Sequence, residues 1–264
     1  FIEFCRKLEE LPSVTPDEKF DDVLEEAEKE AGRWPTRVAS VLRERLKEID
    51  RTGQVNVSKM FNNWLVGILF NTQPNENHSA IVSTNFPYIL TTNYDRLLED
   101  AADQQGFAEL NANSYTFKDA EKVAGAIYSE LPAVIHIHGD ALGVAVEEFV
   151  FTAEDYIRIA REYRGFTLSL QTLMMKFSIL FVGYGGSDPH LENLLEEICY
   201  LFQYSYSKLL PRFYLLLKRD KAGHLLKRYK SKLRTTLIGV DDYSETAGFL
   251  KELSTRAPRS GLPK

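Results

Sequence analysis

Three short polar stretches follow apolar runs in the sequence and contain the residue types that could do chemistry. They are TTNYD at 91–95, HIHGD at 136–140 and GYGGSDPH at 183–190. A histidine such as His138, placed directly before a glycine, can act as a general base near neutral pH. The amide of Asn93 both donates and accepts, so it can orient a hydroxyl or a water, and a carboxylate such as Asp95 can fix such a network.

Simpler structural roles are open to the same residues. Either Asn93 or Asp95 could cap a helix predicted to begin at Arg96, and capping needs only one of them. A buried structural histidine is the more usual finding in a strand, and that role suits His136 better than His138. The two histidines have no acidic or cysteine partner at ligand spacing, so we expect no metal.

The third stretch reads as a strand-to-helix turn. Its glycines at 183, 185 and 186 permit a tight turn and close backbone approach, and Ser187 or Asp188 can cap a helix that begins at Pro189. The free N–H groups of such a turn suit a phosphate or ribose hydroxyls. A turn without any ligand needs the same residues, so this stretch alone favours the purely structural role.

The elements that would position these stretches alternate along the chain. The predicted strands are 88–93, 133–139, 178–185, 212–218 and 235–240, and the helical patterns between them are 95–106, 153–177, 188–202 and 222–233. This order predicts an α/β fold, a Rossmann-like, mostly parallel sheet flanked by helices. Ligands of such sheets bind beyond the carboxyl ends of the strands, where all three polar stretches stand.

We predict three parts along the chain. Residues 1–85 show helical periodicity and form a helical lobe packed on the catalytic domain, 86–255 form the Rossmann-like nucleotide-binding core, and 256–264 form a tail or linker.

Composition narrows the possible classes. Lysine plus arginine number 32 against 38 for aspartate plus glutamate, a net charge of −6 that does not indicate nucleic-acid binding. The two cysteines, Cys5 and Cys199, exclude a four-cysteine zinc ribbon and a disulfide framework, and they fit a reducing cytoplasm. The apolar runs are too short to cross a bilayer, so we expect a soluble cytoplasmic protein without membrane partners.

The order of the motifs resembles a known family. TTNYD is followed, 138 − 93 = 45 residues later, by IHGD and then by FVGYGGSDPHLENLL. Over roughly residues 78–255 this order resembles the sirtuin-like, NAD-hydrolysing domain of bacterial anti-phage defence proteins, a branch of the sirtuin superfamily. The stretch VDDYSETAGFLKEL weakly resembles the loop that closes near the adenine in that family.

The resemblance implies roles for named residues. Asn93 would position the nicotinamide ribose and the attacking water, and His138 would be the catalytic histidine. The residues implied to bind NAD+ are Thr92, Asp95, Gly139, Gly183, Tyr184, Ser187 and Asp188.

The resemblance also implies an activity and partners. It implies an NAD+ glycohydrolase that releases nicotinamide and ADP-ribose as an abortive-infection effector, acting as a homo-oligomer or beside a translocase-type ATPase or a short Argonaute. The missing zinc cysteines disfavour a protein deacylase. The Gly-rich loop of the family does not occur in this sequence, and we expect it upstream of Phe1. A non-catalytic nucleotide-sensing or assembly module is therefore an alternative to the enzyme.

Overall fold

A computed structural model gives the fold. It describes residues 3, 6, 20–31, 35–51, 56–69, 72–140, 149–184, 188–201, 212–220, 223 and 234–260.

Helices and short strands alternate along the described chain. The helices are α1 Phe20–Ala31, α2 Pro35–Arg51, α3 Val57–Leu69, α4 Glu76–Ser83, α5 Leu97–Gln104, α6 Ala108–Ala112, α7 Ala120–Tyr128, α8 Ala153–Glu162, α9 Arg164–Lys176, α10 Pro189–Leu201 and α11 Ser244–Arg256. The strands are β1 Tyr88–Thr91, β2 Ser114–Thr116, β3 Ala133–His136, β4 Ile179–Val182, β5 Arg212–Lys218 and β6 Arg234–Val240. None of the described helices is long and apolar enough to cross a membrane.

The predicted strands are confirmed, but several elements differ in length. β1, β3 and β4 end two or three residues earlier than predicted, because the chain turns there. The long helix predicted at 153–177 is two helices, since Tyr163 leaves helical geometry with ψ near 46°. β2 was not predicted, because three residues are too few for alternation to be recognised. The predicted helix at 222–233 lies almost entirely outside the described residues.

The chain divides into two compact units, and each is discontinuous in sequence. The first comprises Phe1–Gln73, Thr91–Arg96 and His136–Glu162, and the second comprises Pro74–Leu90, Leu97–Ile135 and Tyr163–Lys264. The boundaries that we placed after residues 85 and 255 stay a prediction.

The first unit is built around an apolar core supplied by helices and by two returning segments. One face of α2 is apolar, with buried residues three or four positions apart, as expected for an amphipathic helix. The core consists of Val38, Leu42, Leu46, Ile49, Val57, Phe61 and Phe149, with Tyr94 and Phe151 packed against it. Glu44 and Lys47 lie between them in the sequence and are exposed, so they belong to the solvated face of α2.

The second unit contains parallel strands in two sheets. β4, β5 and β6 are neighbours in that order, and both pairs are parallel. β1, β3 and β2 form the other sheet. Its first pair is also parallel, because Ala133 N–H donates to the Pro87 carbonyl at 3.1 Å and Ile137 N–H to the Thr91 carbonyl at 2.9 Å, with a constant offset of 46 residues (133 − 87 = 137 − 91).

Helix α4 contributes to both sheets of the second unit. Its residue Ile81 packs against an apolar cluster that includes Ile89 and Val134, and also against one that includes Leu216 and Val240. The fold is therefore α/β, with parallel strands flanked by helices in a Rossmann-like arrangement, as the alternating pattern predicts.

A buried arginine, Arg259, follows α11 in the second unit. Arg259 is 6% exposed, and its Nε donates to the Val82 carbonyl at 2.8 Å while its backbone N–H donates to the Ser83 carbonyl at 2.7 Å. A second guanidinium nitrogen donates to the Phe86 carbonyl. These carbonyls lie at the end of α4 and just before β1, so the guanidinium fixes the entry into that strand.

Candidate active site

The loop after β1 contains Asn93. Thr91 ends the strand, and its hydroxyl accepts a hydrogen bond from the Asn93 N–H at 3.0 Å, a local turn typical of threonine. Asn93 is exposed, whereas Thr92 and Asp95 are half-buried. The loop thus presents Asn93 to solvent while the end of the strand fixes its backbone.

The loop after β3 contains His138. Alternation along the predicted strand 133–139 would place His136 and His138 on one face, but β3 ends at His136 and the chain turns at the next two residues. His138 is buried, with 4% of its surface exposed. Gly139 follows with φ near +90°, a conformation that glycine adopts without strain, so the turn can form directly after His138.

Contacts at three positions join these two loops. The Ile137 N–H donates to the Thr91 carbonyl at 2.9 Å, and His136 Nδ1 lies 3.1 Å from the Asn93 carbonyl oxygen. Beyond them, Arg96 Nη1 donates to Asp140 Oδ2 at 2.7 Å. The structure therefore brings the segments of Asn93 and His138 side by side, as the carboxyl ends of neighbouring parallel strands require.

The segment that begins at Phe149 supplies contacts to His138. The Val150 N–H donates to the His138 carbonyl at 3.1 Å, and the Tyr94 hydroxyl donates to the Val150 carbonyl at 2.8 Å. The ring of Tyr156 meets the imidazole edge-on, with 5.4 Å between the ring centroids. Backbone and ring contacts thus fix both the main chain and the side chain of His138.

Helix α8, which contains Tyr156, is anchored by a buried carboxylate. Asp155 accepts hydrogen bonds from Arg43 Nη1 at 2.7 Å and from the Thr152 N–H at 3.0 Å. Burial alone would raise the pKa of Asp155, but the hydrogen bonds and charge of Arg43 and the hydrogen bonds of Thr152 outweigh it and lower that pKa below 3.8. The carboxylate therefore stays charged and joins α2 to the start of α8.

The third polar stretch lies in the second unit, at the end of β4. Gly183 has φ near +67°, and its N–H donates to the Leu216 carbonyl at 3.2 Å. Asp188 is the N-cap of α10, because its Oδ1 accepts from the Leu191 N–H at 2.8 Å. The predicted helix start at Pro189 is thereby confirmed.

Tyr184 and Ser187 complete that stretch. The Tyr184 hydroxyl donates to Glu192 Oε1 at 2.6 Å, and Glu192 is buried in the first turns of α10. Ser187 lies outside the described residues. The structure thus places Gly183, Tyr184 and Asp188 at one strand end.

Metal chemistry has no visible basis in the described part of the chain. Among these residues, no group of three or more histidine, cysteine, aspartate or glutamate side chains is arranged to hold a metal ion.

Sequence reasoning missed several residues that support the site. Arg96 and Asp140 stand at or beside the quoted stretches, and their opposite charges at the ends of two neighbouring strands were a usable signal. Tyr156 and Val150 gave no such signal, because they reach His138 only after the chain returns from residues far along the sequence.

Comparisons with known proteins give relatives of low identity. Defense-associated sirtuin 2 of Bacillus subtilis is 29% identical over 134 residues, which cover 50% of this chain and 12% of that protein. NAD(+) hydrolase ThsA of Enterococcus faecium is 24% identical over 208 residues, which cover 71% of this chain and 41% of that protein. ThsA of Bacillus cereus strain MSX-D12 is 26% identical over 171 residues, covering 64% and 34%. The chain spans less than half the length of each of these relatives.

A family model described as SIR2-like domain matches residues 87–238. The match begins just before β1 and ends within β6, so it includes both loops with Asn93 and His138 and the stretch from Gly183 to Asp188. Since it covers more than half of the 264 residues, the chain belongs to the SIR2-like domain family.

Proposed function

We propose that this chain hydrolyses NAD+ to nicotinamide and ADP-ribose. The observation that carries the proposal is the pairing of the loops after β1 and β3, which places the segments of Asn93 and His138 in hydrogen-bonded contact. The names of relatives support it, since two of them are NAD(+) hydrolases.

The exposed amide of Asn93 suits the task of orienting the nucleophile. Cleavage of a glycosidic bond builds positive charge on the sugar ring, so the attacking water must be placed against one face of the ribose. The amide oxygen accepts a hydrogen bond from that water while the amide hydrogens donate to a ribose hydroxyl. We propose that Asn93 does both.

We propose that the imidazole of His138 takes the proton. Water attacks C1′ of the ribose, the bond from C1′ to the nicotinamide nitrogen breaks, and its electron pair leaves with nicotinamide, which becomes neutral. The proton of the water passes to His138, which acts as general base. The burial of His138 beside Tyr156 limits competing contact with bulk water.

We propose that Gly183, Tyr184, Ser187 and Asp188 bind NAD+, and we propose the same role for Thr92, Asp95 and Gly139. The positive φ of Gly183 permits close backbone approach. The carboxylate of Asp188 already caps α10, and its negative charge disfavours a phosphate there. Ribose hydroxyls are therefore the better match for this turn.

The biological role that we propose is an effector of bacterial anti-phage defence that depletes NAD+ in the cytoplasm. The name of the Bacillus subtilis relative, a defense-associated sirtuin, supports this role. The family resemblance further suggests a homo-oligomer, or a complex with a translocase-type ATPase or a short Argonaute.

The test is NAD+ loss by the purified full-length protein, followed by chromatography of nicotinamide and ADP-ribose. We expect Asn93→Ala and His138→Ala each to abolish turnover. Matched controls are Asn111→Ala and His78→Ala, which remove the same side-chain types; Asn111 bonds to Asp103, and His78 accepts from the Asn75 N–H in the capping box of α4.

Three outcomes would contradict the proposal. Unchanged NAD+ consumption by both site variants would remove Asn93 and His138 from the mechanism. Release of acyl-ADP-ribose from an acyl-lysine peptide would identify a deacylase, and tight NAD+ binding without turnover would identify a nucleotide-sensing module.

A further inference from the structure

An ion pair lies directly beside both proposed catalytic residues. Arg96 stands three positions after Asn93, and Asp140 stands two positions after His138. Their side chains meet with 2.7 Å between Nη1 and Oδ2, and they are only 20% and 11% exposed. A largely buried pair of this kind is held in one geometry far more firmly than a pair on the surface.

The position of this pair differs from that of the other contacts between the two loops. The hydrogen bond from Ile137 to Thr91 and the contact of His136 with the Asn93 carbonyl both precede His138 in the chain. The ion pair is a contact between these loops that follows His138 in the chain. Residues both before and after the turn formed by His138 and Gly139 therefore contact the β1 loop.

Gly139 is the position of the turn whose movement the ion pair can restrain. A glycine with φ near +90° has wide conformational freedom, so the chain beyond it does not by itself fix the direction of the His138 side chain. A planar guanidinium restrains a carboxylate in both distance and direction. The Arg96 side chain can thus limit how far Asp140, and with it the turn, moves.

We infer that Arg96 and Asp140 are positioning residues, which set the distance between the Asn93 amide and the His138 imidazole. The inference rests on the proposed function, because it assigns the pair to the same reaction. Neither side chain needs to touch NAD+. Small displacements of reacting groups cost large factors in rate, roughly a hundredfold for 1 Å, so the pair acts on kcat.

A purely structural role would give a different result. In that case loss of the pair would lower the stability of the first unit, and activity would fall only in proportion to the folded fraction. The chain offers a control for stability in the same unit. Leu46 lies in the apolar core on α2, with 5% of its surface exposed, and it belongs to neither of the two loops.

The experiment compares Asp140→Asn, Arg96→Gln and Arg96→Lys with Leu46→Ala in the full-length protein. Leu46→Ala removes apolar contacts of the core and changes no side chain of the two loops. Steady-state NAD+ hydrolysis gives kcat and KM, and thermal melting gives the folded fraction at the assay temperature. We expect kcat per folded molecule to fall roughly a hundredfold in Asp140→Asn and Arg96→Gln, with little change in KM.

Arg96→Lys keeps the charge but loses the planar fork, so its kcat should lie between those of wild type and Arg96→Gln. Leu46→Ala should lower the melting temperature and keep the wild-type kcat per folded molecule. If Asp140→Asn matches Leu46→Ala in that quantity, the positioning role is wrong.

A wild-type protein that consumes no NAD+ would overturn the proposed function, and a second measurement then decides the inference. Histidine side-chain ¹H–¹⁵N NMR, with His138 assigned through His138→Gln, reports the environment of the imidazole. We expect Asp140→Asn to shift the His138 signals and Leu46→Ala to leave them unchanged. Unshifted signals in Asp140→Asn would overturn the inference.

Discussion

His136 Nδ1 lies 3.1 Å from the main-chain carbonyl oxygen of Asn93. A carbonyl oxygen only accepts, so this hydrogen bond requires the proton of the neutral imidazole to be on Nδ1. His136 is fully buried at the end of β3, which makes it a structural histidine. The backbone of Asn93 is thus positioned by a side chain from the neighbouring strand.

Replacing His136 should separate the effect of this hydrogen bond on stability from the effect of side-chain packing. His136→Leu removes the donor, so we expect a loss of about 1–3 kcal/mol in the free energy of unfolding, together with reduced NAD+ hydrolysis. His136→Gln retains an N–H donor and should lose less of both. Urea unfolding and an NAD+ assay measure the two effects. Equal losses in the two variants would show that the hydrogen bond to Asn93 has no separate effect.

Gly139→Ala tests the turn after His138. A side chain at φ near +90° is strained by about 1–3 kcal/mol, and the turn would relieve the strain by moving His138. We expect lower stability and a lower kcat per folded molecule. Gly106→Ala is the control, because Gly106 has φ near +80° on the exposed surface after α5. It should lose similar stability with kcat intact, and an equal drop in kcat would argue against the special placement of Gly139.

Arg259→Lys should destabilise the second unit through its buried carbonyl contacts. A lysine ammonium lacks the planar guanidinium whose two nitrogens donate to the Val82 and Phe86 carbonyls. Each buried carbonyl left without a donor lowers the free energy of unfolding by about 1–3 kcal/mol. The control is Arg256→Lys, an exposed residue paired with Glu252, which should change the stability by less than about 0.5 kcal/mol. Thermal melting of the two variants should therefore differ clearly, and equal melting temperatures would be the contrary result.

Asp155 should make the first unit acid-sensitive. Because its pKa is lower in the folded state, its contribution to stability is complete above the ordinary value of 3.8 and declines as the pH falls below it, until the lowered folded pKa is passed. Asp155→Asn should thus lose stability at pH 7, and the difference from wild type should narrow below about pH 4. Urea unfolding between pH 3 and 7 measures this, and a difference that widens towards acid would contradict the assignment.

The sequence pattern predicted the parallel strands and the loops with Asn93 and His138, because both depend on local signals. Apolar runs mark buried strands, and polar residues after them mark the edge where loops meet. The helix start at Pro189 was predictable for the same reason, since a capping residue and a proline stand together in the sequence.

The remaining contacts depend on residues that are distant in sequence. His138 is buried because it contacts Val150 and Tyr156, which lie more than ten residues later in the chain. The same contacts accompany the end of β3 at His136. Sequence periodicity does not predict such contacts. The anchoring of α8 by Arg43 equally depends on a helix more than a hundred residues earlier. Local patterns therefore located the candidate residues but not the groups that orient them.

The discontinuity of the first unit has a consequence for the order of folding. Ser40 donates to Glu154 across 114 residues of sequence, and Phe149 completes a core that otherwise consists of residues from α2 and α3. Contacts between such distant residues close large loops and form slowly. The apolar core of the N-terminal helices therefore cannot be completed before Phe149 has been synthesised, so part of their apolar surface stays open to solvent until then.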